Sequence, residues 1–455
     1  MAERDAEMST EPDGNGTSIA VASVTTTAST SATASAEAVW RAQEIWETSG
    51  FLTFLEAHEI KRSDLLGSND ENNTSGSETV EHRFFRMKQD ADGAVRSEAD
   101  VIALVAKCLE KEGIVDVTPA PVSWLPSFYA LPVATPLARI DLYRSGELYG
   151  IDISSGYAVT LLNIQPGEHV LDLCCAPGAK LTMIADLLRM CGSVTGVDFS
   201  RQRIGACKQL VHKYKLIQAA GTTTKESASL LAAAAPGGES DTKADTGGEE
   251  EQGNGPQCDD TEQALTVSAS TTATWRCRLF HADGRTFNIG PKTECEQLDD
   301  METVLDTQEI CARGIHGQQR KRKNKSARAR DRKRQKVLVV NEELYDKVLV
   351  DAECTHDGSI RHLQKNDSLE KWRDYVENHL SASEIGRILQ LQHDLIRNGF
   401  KMLKAGGEMI YSTCSLSVKQ NEEIVESFLQ EEPCAALEKI DRDGIPCGVS
   451  DLTSI

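Results

Sequence analysis

From about Ile151 onward the chain repeats one pattern: a short apolar segment, a turn, then an amphipathic stretch of helical period. The apolar segments are His169–Leu173, Ser193–Val197, Arg276–Phe280, Lys347–Asp351 and Glu408–Ser412. Helical periodicity covers Lys180–Arg189, Arg201–Lys215, Ser381–Leu403 and Lys419–Gln430. In the third of these, Ser381 and Glu384 read as a capping box, with Ile385, Ile388, Leu389, Leu395, Ile396, Phe400 and Leu403 on one face. Nearly continuous apolar strands must be covered on both sides, and helices supply the cover. The predicted fold is therefore α/β, a doubly wound, Rossmann-like parallel sheet. Such sheets bind ligands outside the carboxyl ends of their strands.

The remainder divides by composition. Residues 1–79 read as a mostly disordered N-terminal region, Ser/Thr/Ala-rich over 1–37, with one short helix expected around Trp40–His58. Residues 80–146 form a small α+β unit, with a strand at HRFFRMK and a helix near Glu98–Glu112 that Gly113 stops. The Pro-rich stretch Pro119–Pro136 is expected to wrap onto the next domain. Residues 147–455 make the Rossmann-like domain, interrupted by insertions at 219–274 and 284–336 that are expected to be disordered. Long inserts between strands are tolerated because loop-closure entropy grows slowly with length.

The net charge of −21 argues against a nucleic-acid partner only as an average. Residues 318–336 hold 11 Lys/Arg against a single acid, Asp331. The block reads equally as a nuclear-import signal, a phosphate-binding arm or a solvated loop; nucleus or nucleolus is the expected location, with the cytoplasm as alternative. The acidic first residues argue against a secretory or transit leader. No apolar run approaches the roughly 18 residues of a membrane span. Thirteen cysteines without a Cys-x-x-Cys pair point to reduced thiols and no metal.

The first strand runs into Asp172-Leu173-Cys174-Cys175-Ala176-Pro177-Gly178-Ala179-Lys180. A buried strand, a turn of small residues and a helix start make a nucleotide-type crevice, in which Gly178 permits close approach and the helix N-terminus offers N–H groups. Asp198 ends the next strand twenty residues after Gly178, the distance usual for an acid on ribose hydroxyls. By itself it reads equally as a helix N-cap before Arg201. The absence of Gly-x-Gly-x-x-Gly and Walker A patterns disfavours a dinucleotide and ATP hydrolysis. Asp283 and Asp351 end the following strands at the same edge, although Asp283 with Gly284 alone would be a plain turn.

Two cysteines also emerge at that edge: Cys354 in DAECTHDG and Cys414 in YSTCS. Most cysteines are small buried hydrophobes, but a thiolate so placed can add to an electron-poor ring or attack an acyl group. Cys174 and Cys175 read mainly as packing. The ordered set DLCCAPGAK, GVD, HADG, DAEC and YSTCS, with LYGIDISSG before it, resembles the Sun (RsmB/NOP-type) family of RNA 5-methylcytosine methyltransferases over roughly Val80–Gln430.

The resemblance implies S-adenosyl-L-methionine in the turn Cys174–Lys180, with Asp198 on its ribose and Asp283 on its adenine. It implies Cys414 as the nucleophile on carbon 6 of cytosine, Asp351 on the cytosine edge, and Cys354 assisting product release. It further implies an rRNA or tRNA substrate, a base taken out of its stack, an RNA-positioning role for 80–146 and a monomeric enzyme. An unactivated aromatic carbon cannot displace a methyl group without prior covalent addition, which agrees with these roles. Three departures stand out: Glu353 where the family has Pro, Ala179 for a second glycine, and a chain that ends 41 residues after Cys414. A carboxylate at Glu353 is expected to raise the Cys354 thiol pKa. The family's sheet closes with two further strands, the last antiparallel; Glu438–Ile440 is a candidate for one, and the last is expected to be missing. The rival readings are a catalytically impaired RNA-binding assembly factor and an amide-nitrogen methylase, in which Cys414 would have no task.

Overall fold

The computed structural model describes residues 49–60, 82–89, 96–217, 275–293, 301–316, 343–363, 365–366 and 368–440. The expectations for 1–37, the whole of 219–274 and the basic block 318–336 lie outside them. In chain order the elements are α1 (Ser49–Ala57), β1 (His82–Met87), α2 (Glu98–Lys111), β2 (Ala120–Pro121), β3 (Phe128–Pro132), α3 (Asp141–Ser145), β4 (Leu148–Gly150) and α4 (Ile153–Leu161). Next come β5 (His169–Asp172), α5 (Ala179–Leu187), β6 (Gly192–Asp198), α6 (Arg201–Lys213), β7 (Trp275–His281), β8 (Glu302–Asp306) and α7 (Thr307–His316). The rest are β9 (Tyr345–Asp351), α8 (Ile360–Leu363), α9 (Leu369–His379), α10 (Ala382–Met402), β10 (Leu403–Ser412) and α11 (Glu422–Glu431).

Six strands form the main sheet in the order β10-β9-β5-β6-β7-β8. The five predicted strands run parallel, and β8 lies antiparallel to β7 at one edge. Side chains alternate across the sheet with the period of two that a strand imposes. Val170, Val194, Cys277, Leu349 and Ile410 face one layer, with Leu181 and Ile184 of α5 and Ile204 and Val211 of α6. Leu171, Val197, Phe280, Val348, Val350 and Tyr411 face the other, with Leu395 and Ile396 of α10 and Ile424, Val425 and Phe428 of α11. The result is a helix–sheet–helix sandwich, the Rossmann-like fold expected. The strand order reverses between β5 and β9, so a crevice opens above the ends of those two strands.

The small sheet, in the order β2-β3-β1-β4, is antiparallel. Its core joins Phe85 and Met87 to Val101, Val105, Cys108 and Leu109 of α2, the face that the helical period predicts. Because β4 pairs with β1, this sheet continues to Gly150, past the expected limit at 146. The Pro-rich stretch supplies β2 and β3 and does reach the neighbouring domain. Phe128 lies so close to α4 that a Cβ on Gly156 would meet its ring at 2.1 Å.

Two expectations are corrected. The insertion at 284–336 begins too early: Phe287 and Ile289 are fully buried beneath the sheet, and the segment Glu302–Asp306 is the edge strand β8. Glu438–Ile440 is not a strand, and among the described residues the antiparallel strand of this sheet is β8 at the opposite edge. The short helix expected around Trp40–His58 is present as α1, Ser49–Ala57, and it is packed. Phe51, Phe54, Leu55 and Ile60 join Trp372, Tyr375 and Val376 of α9 in one apolar cluster, with the Phe51 and Trp372 rings 5.3 Å apart.

The two sheets are tied by a buried ion pair, Arg86 Nη2 of β1 to Asp186 Oδ2 of α5 at 2.6 Å, both side chains at most 3% exposed. Burial pushes the Asp186 carboxyl up, and Arg86 pulls it back. Breaking a buried pair strands a charge, at about 3–5 kcal/mol, whereas replacing both partners by apolar groups is often neutral. Arg86→Ala is expected to lower stability by about that amount, and Arg86→Met with Asp186→Leu to recover most of it, measured by urea unfolding.

Candidate active site

The strand β5 ends in Asp172, which is fully buried, and neither of its oxygens has a hydrogen-bond partner among the described residues. Burial first, and the Asp351 carboxylate second, push its pKa up to about 8, with the Lys180 ammonium pulling the other way. The turn that follows delivers α5, whose N-cap Gly178 has φ 111° and no side-chain cap. A Cβ there would press on Cys207 and Leu210 of α6 at 3.2–3.3 Å, so the turn requires glycine. The thiol of Cys175 lies 4.0 Å from that of Cys207 in the core beneath the turn, and burial pushes up both the Cys174 and Cys175 thiols. Their packing role agrees with the residue-level reading.

Asp198 closes the turn from the neighbouring strand. Its Oδ2 accepts from Ala176 N at 3.2 Å and its Oδ1 from Ser200 N at 2.8 Å. Ser200, not Asp198, caps α6, since its side chain accepts from Arg203 N. The carboxylate therefore clasps the turn to β6 and sits 5% exposed at the crevice. Asp283 follows β7 and is held by Arg285, with Oδ2 to Nη2 at 2.7 Å; that hydrogen bond keeps its carboxyl below the usual range.

Lys180 and Asp351 meet across the switch point, Nζ to Oδ2 at 2.7 Å. Lys180 Nζ also donates to Ser155 Oγ of α4 at 2.9 Å, and Ser412 Oγ donates to Asp351 Oδ1 at 2.9 Å. The cofactor-type turn, β9 and β10 are thus joined through one carboxylate.

Beyond Asp351 and Ser412 the chain places Cys354 and Cys414 side by side, Sγ to Sγ at 3.1 Å, with Cys354 buried and Cys414 exposed. The loops carrying them are welded by Asp357, which is fully buried: it accepts from Thr355 Oγ1, from Ser415 Oγ at 2.7 Å and from Leu416 N at 2.8 Å. Gly358 N donates to Cys414 O at 3.0 Å, and Gln420 Nε2 reaches Thr355 Oγ1 at 2.8 Å. Nearby, His58 after α1 hydrogen-bonds Ser417 Oγ. The Cys354 thiol is pushed up, first by its hydrogen bond to Cys414 and then by burial. Glu353 is not the cause, contrary to expectation. Its carboxylate points to the surface and pairs with Arg387 at 2.6 Å, which also holds Glu384.

Sequence reasoning missed His356, Asp357, Gln420 and Ser155. Asp357 and Gly358 resemble an ordinary turn in the sequence, and nothing local shows that the carboxylate is consumed by a loop about 60 residues away. His356 carried a signal, as a titratable ring two residues from a candidate thiol.

The family model described as "16S rRNA methyltransferase RsmB/F" matches residues 159–229 and 313–451. The ribosomal RNA small subunit methyltransferase F of Shewanella piezotolerans is 37% identical over 93 residues, 20% of this chain and 18% of that one. The mouse 28S rRNA (cytosine-C(5))-methyltransferase is 39% identical over 87 residues, 19% of each. Over residues 159–229 and 313–451, less than half of its length, this chain resembles the RsmB/F methyltransferase family. The matched stretches span less than a fifth of those relatives' length. A solved structure titled "Crystal Structure of PH0851" is 19% identical, with a TM-score of 0.48, over 84% of this chain and 56% of that one.

The cofactor of RsmB/F methyltransferases is S-adenosylmethionine, and the residues at the switch point fit it. The glycine turn exposes backbone N–H groups at the start of α5, and a buried carboxylate stands on each side of it, at Asp172 and Asp198.

The raised Asp172 pKa has a sign for stability. Between the unfolded value, about 4, and about 8, the folded state keeps a proton that the unfolded state has lost. Stability contributed by this group therefore falls as pH rises through that window, by up to about 1.4 kcal/mol per pH unit. Asp172→Asn is expected to flatten the pH dependence of urea unfolding between about pH 4 and 8 relative to the parent protein; superimposable profiles would contradict the assignment.

Proposed function

We propose that this chain is an S-adenosylmethionine-dependent RNA (cytosine-5) methyltransferase that works through a covalent cysteine–cytosine adduct. One observation carries the reading: two thiols 3.1 Å apart stand beside an Asp351–Lys180 pair at the mouth of the cofactor crevice. The names of the similar proteins favour ribosomal RNA as substrate, with tRNA the alternative. The small sheet around β1 would position the RNA. The proposed location is the nucleus or nucleolus, with the cytoplasm as alternative, and rests on the basic block 318–336.

Bound in the turn Cys174–Lys180, S-adenosylmethionine supplies an electrophilic methyl group. Asp198 takes the ribose hydroxyls and Asp283 the adenine; a carboxylate has about four acceptor sites, so the Arg285 clamp leaves capacity. Asp351, fixed by Lys180 and Ser412, accepts from the edge of a cytosine turned out of its stack. The Cys414 thiolate bonds to carbon 6, and the displaced π pair makes carbon 5 nucleophilic enough to take the methyl. Loss of the carbon 5 proton to solvent water then restores the double bond and expels Cys414 as thiolate. Cys354 acts at this last stage. Its pKa is raised first by the Cys414 hydrogen bond, and that contact weakens once Cys414 carries the base.

Glu353 no longer supports the assembly-factor reading, because Arg387 takes up its charge. Cys414→Ala is expected to abolish methyl transfer with RNA affinity nearly unchanged. Cys354→Ala is expected to accumulate a denaturant-resistant protein–RNA adduct, seen as a shifted band with cellular RNA and S-adenosylmethionine. An adduct that persists in the double variant would remove Cys414 as the nucleophile.

A further inference from the structure

The proposed reaction leaves one question open at the thiol. An ordinary cysteine has a pKa of about 8.5 and is mostly protonated near neutrality, while only the thiolate attacks. Something must take the proton, and the residues implied by the family resemblance supply no group for it. His356 stands there. Its Nδ1 is 2.9 Å from Cys414 Sγ and 3.7 Å from Cys354 Sγ, and the three atoms lie within 4.8 Å of one another.

Two further features show that this ring is placed. His356 has φ 60°, in the left-handed region, where non-glycine residues are uncommon and are held only by their surroundings. Here the flanking Thr355 and Asp357 do the holding, through the buried network shared with Ser415 and Leu416. The ring also stacks on His362 of α8, with centroids 4.7 Å apart and planes at 13°, and His362 is itself fixed by Ser359 Oγ at 2.8 Å. A loop that exposed His356 to solvent would need neither feature.

We propose that His356 is the catalytic base for Cys414. Nδ1 accepts the Sγ proton, leaving a thiolate beside an imidazolium before cytosine is attacked. No other group is needed for balance, because the proton stays on the ring while Sγ bonds to carbon 6. The ring, already protonated, cannot also accept the carbon 5 proton; its charge instead stabilises the thiolate as it leaves. The same geometry selects between the two thiols. Cys354 is buried, and its contact with Cys414 and its burial keep it as a thiol, so the proposal assigns the proton loss to the exposed sulfur.

The charged and titratable groups around the ring favour imidazolium. The hydrogen bond to Cys354 comes first in raising its pKa, burial opposes it, and Glu353 and Asp357 on its own loop add to the rise. His362 from α8 disfavours a second charge, and its own pKa is lowered by burial and by His356. From α9, Tyr375 OH is spent on Thr355 O, and from α10, Arg387 is held by Glu353 and Glu384.

This proposal takes its catalytic meaning from the methyltransferase reading, but the thiol chemistry can be read without RNA. The test is peptide-resolved iodoacetamide labelling of Cys414 against pH, on the full chain in chelator-treated buffer. His356→Asn is the variant of choice, since asparagine tolerates the left-handed conformation and carries no base. The parent protein is expected to label with a midpoint well below the ordinary thiol value of about 8.5, and His356→Asn to move that midpoint up by about one unit or more. In turnover, kcat is expected to fall by about 100-fold or more with KM for RNA little changed. A low midpoint lost in His356→Asn supports the pair even if no RNA is methylated, in which case the methyltransferase reading alone fails. A profile unchanged in folded His356→Asn, or restored transfer in that variant, would overturn it.

Discussion

The Lys180–Asp351 ion pair is the point on which the rest of the site depends. One partner opens the helix that follows the cofactor-type turn, and the other ends the strand that leads to Cys354. Only where strand order reverses can those two chain segments face each other with a crevice between them. The pair is partly buried, Lys180 at 16% and Asp351 at 32% exposure, so it is screened less than a surface bridge. Asp172 lies beneath it, a carboxyl in an apolar setting that favours its protonated form. A protonated Asp172 leaves the single Lys180 charge matched to Asp351.

A second constraint acts on the loops above. Cys354 and Cys414 are about 60 residues apart and arrive from different strands, yet they meet with their sulfurs in contact. The buried carboxylate of Asp357 fixes this register through partners on both loops, and Gly358 lets the backbones approach; a Cβ there would meet Cys414 O at 2.9 Å. Charge-assisted hydrogen bonds in a dry setting are strong and directional. The thiols are therefore held by scaffold residues that touch neither of them.

Much of this was legible in the sequence. The parallel strands could be read because each is an apolar run closed by a polar residue, and α10 because its cap and periodicity agree. The edge strand β8 was not legible. Glu302–Asp306 is short, half-buried and flanked by polar sequence, and its place is set by pairing with β7. Nor was the seat of α1, since the aromatic partners of Phe51 lie more than 300 residues further on. At the site, strand ends located Asp198, Asp283, Asp351, Cys354 and Cys414, because topology alone brings strand ends together. What the side chains do there required coordinates: Asp198 clasps the turn, Glu353 turns outward to Arg387, and His356 turns inward to Cys414.

In the proposed function, methyl transfer goes to carbon 5 of cytosine and requires prior addition of Cys414 to carbon 6. Both are reported together by the release of tritium from RNA labelled at carbon 5 of cytosine. Release is expected to depend on S-adenosylmethionine, to match methyl incorporation one for one, and to vanish in Cys414→Ala. Methyl incorporation into RNA without loss of tritium, or undiminished release in Cys414→Ala, would contradict the account.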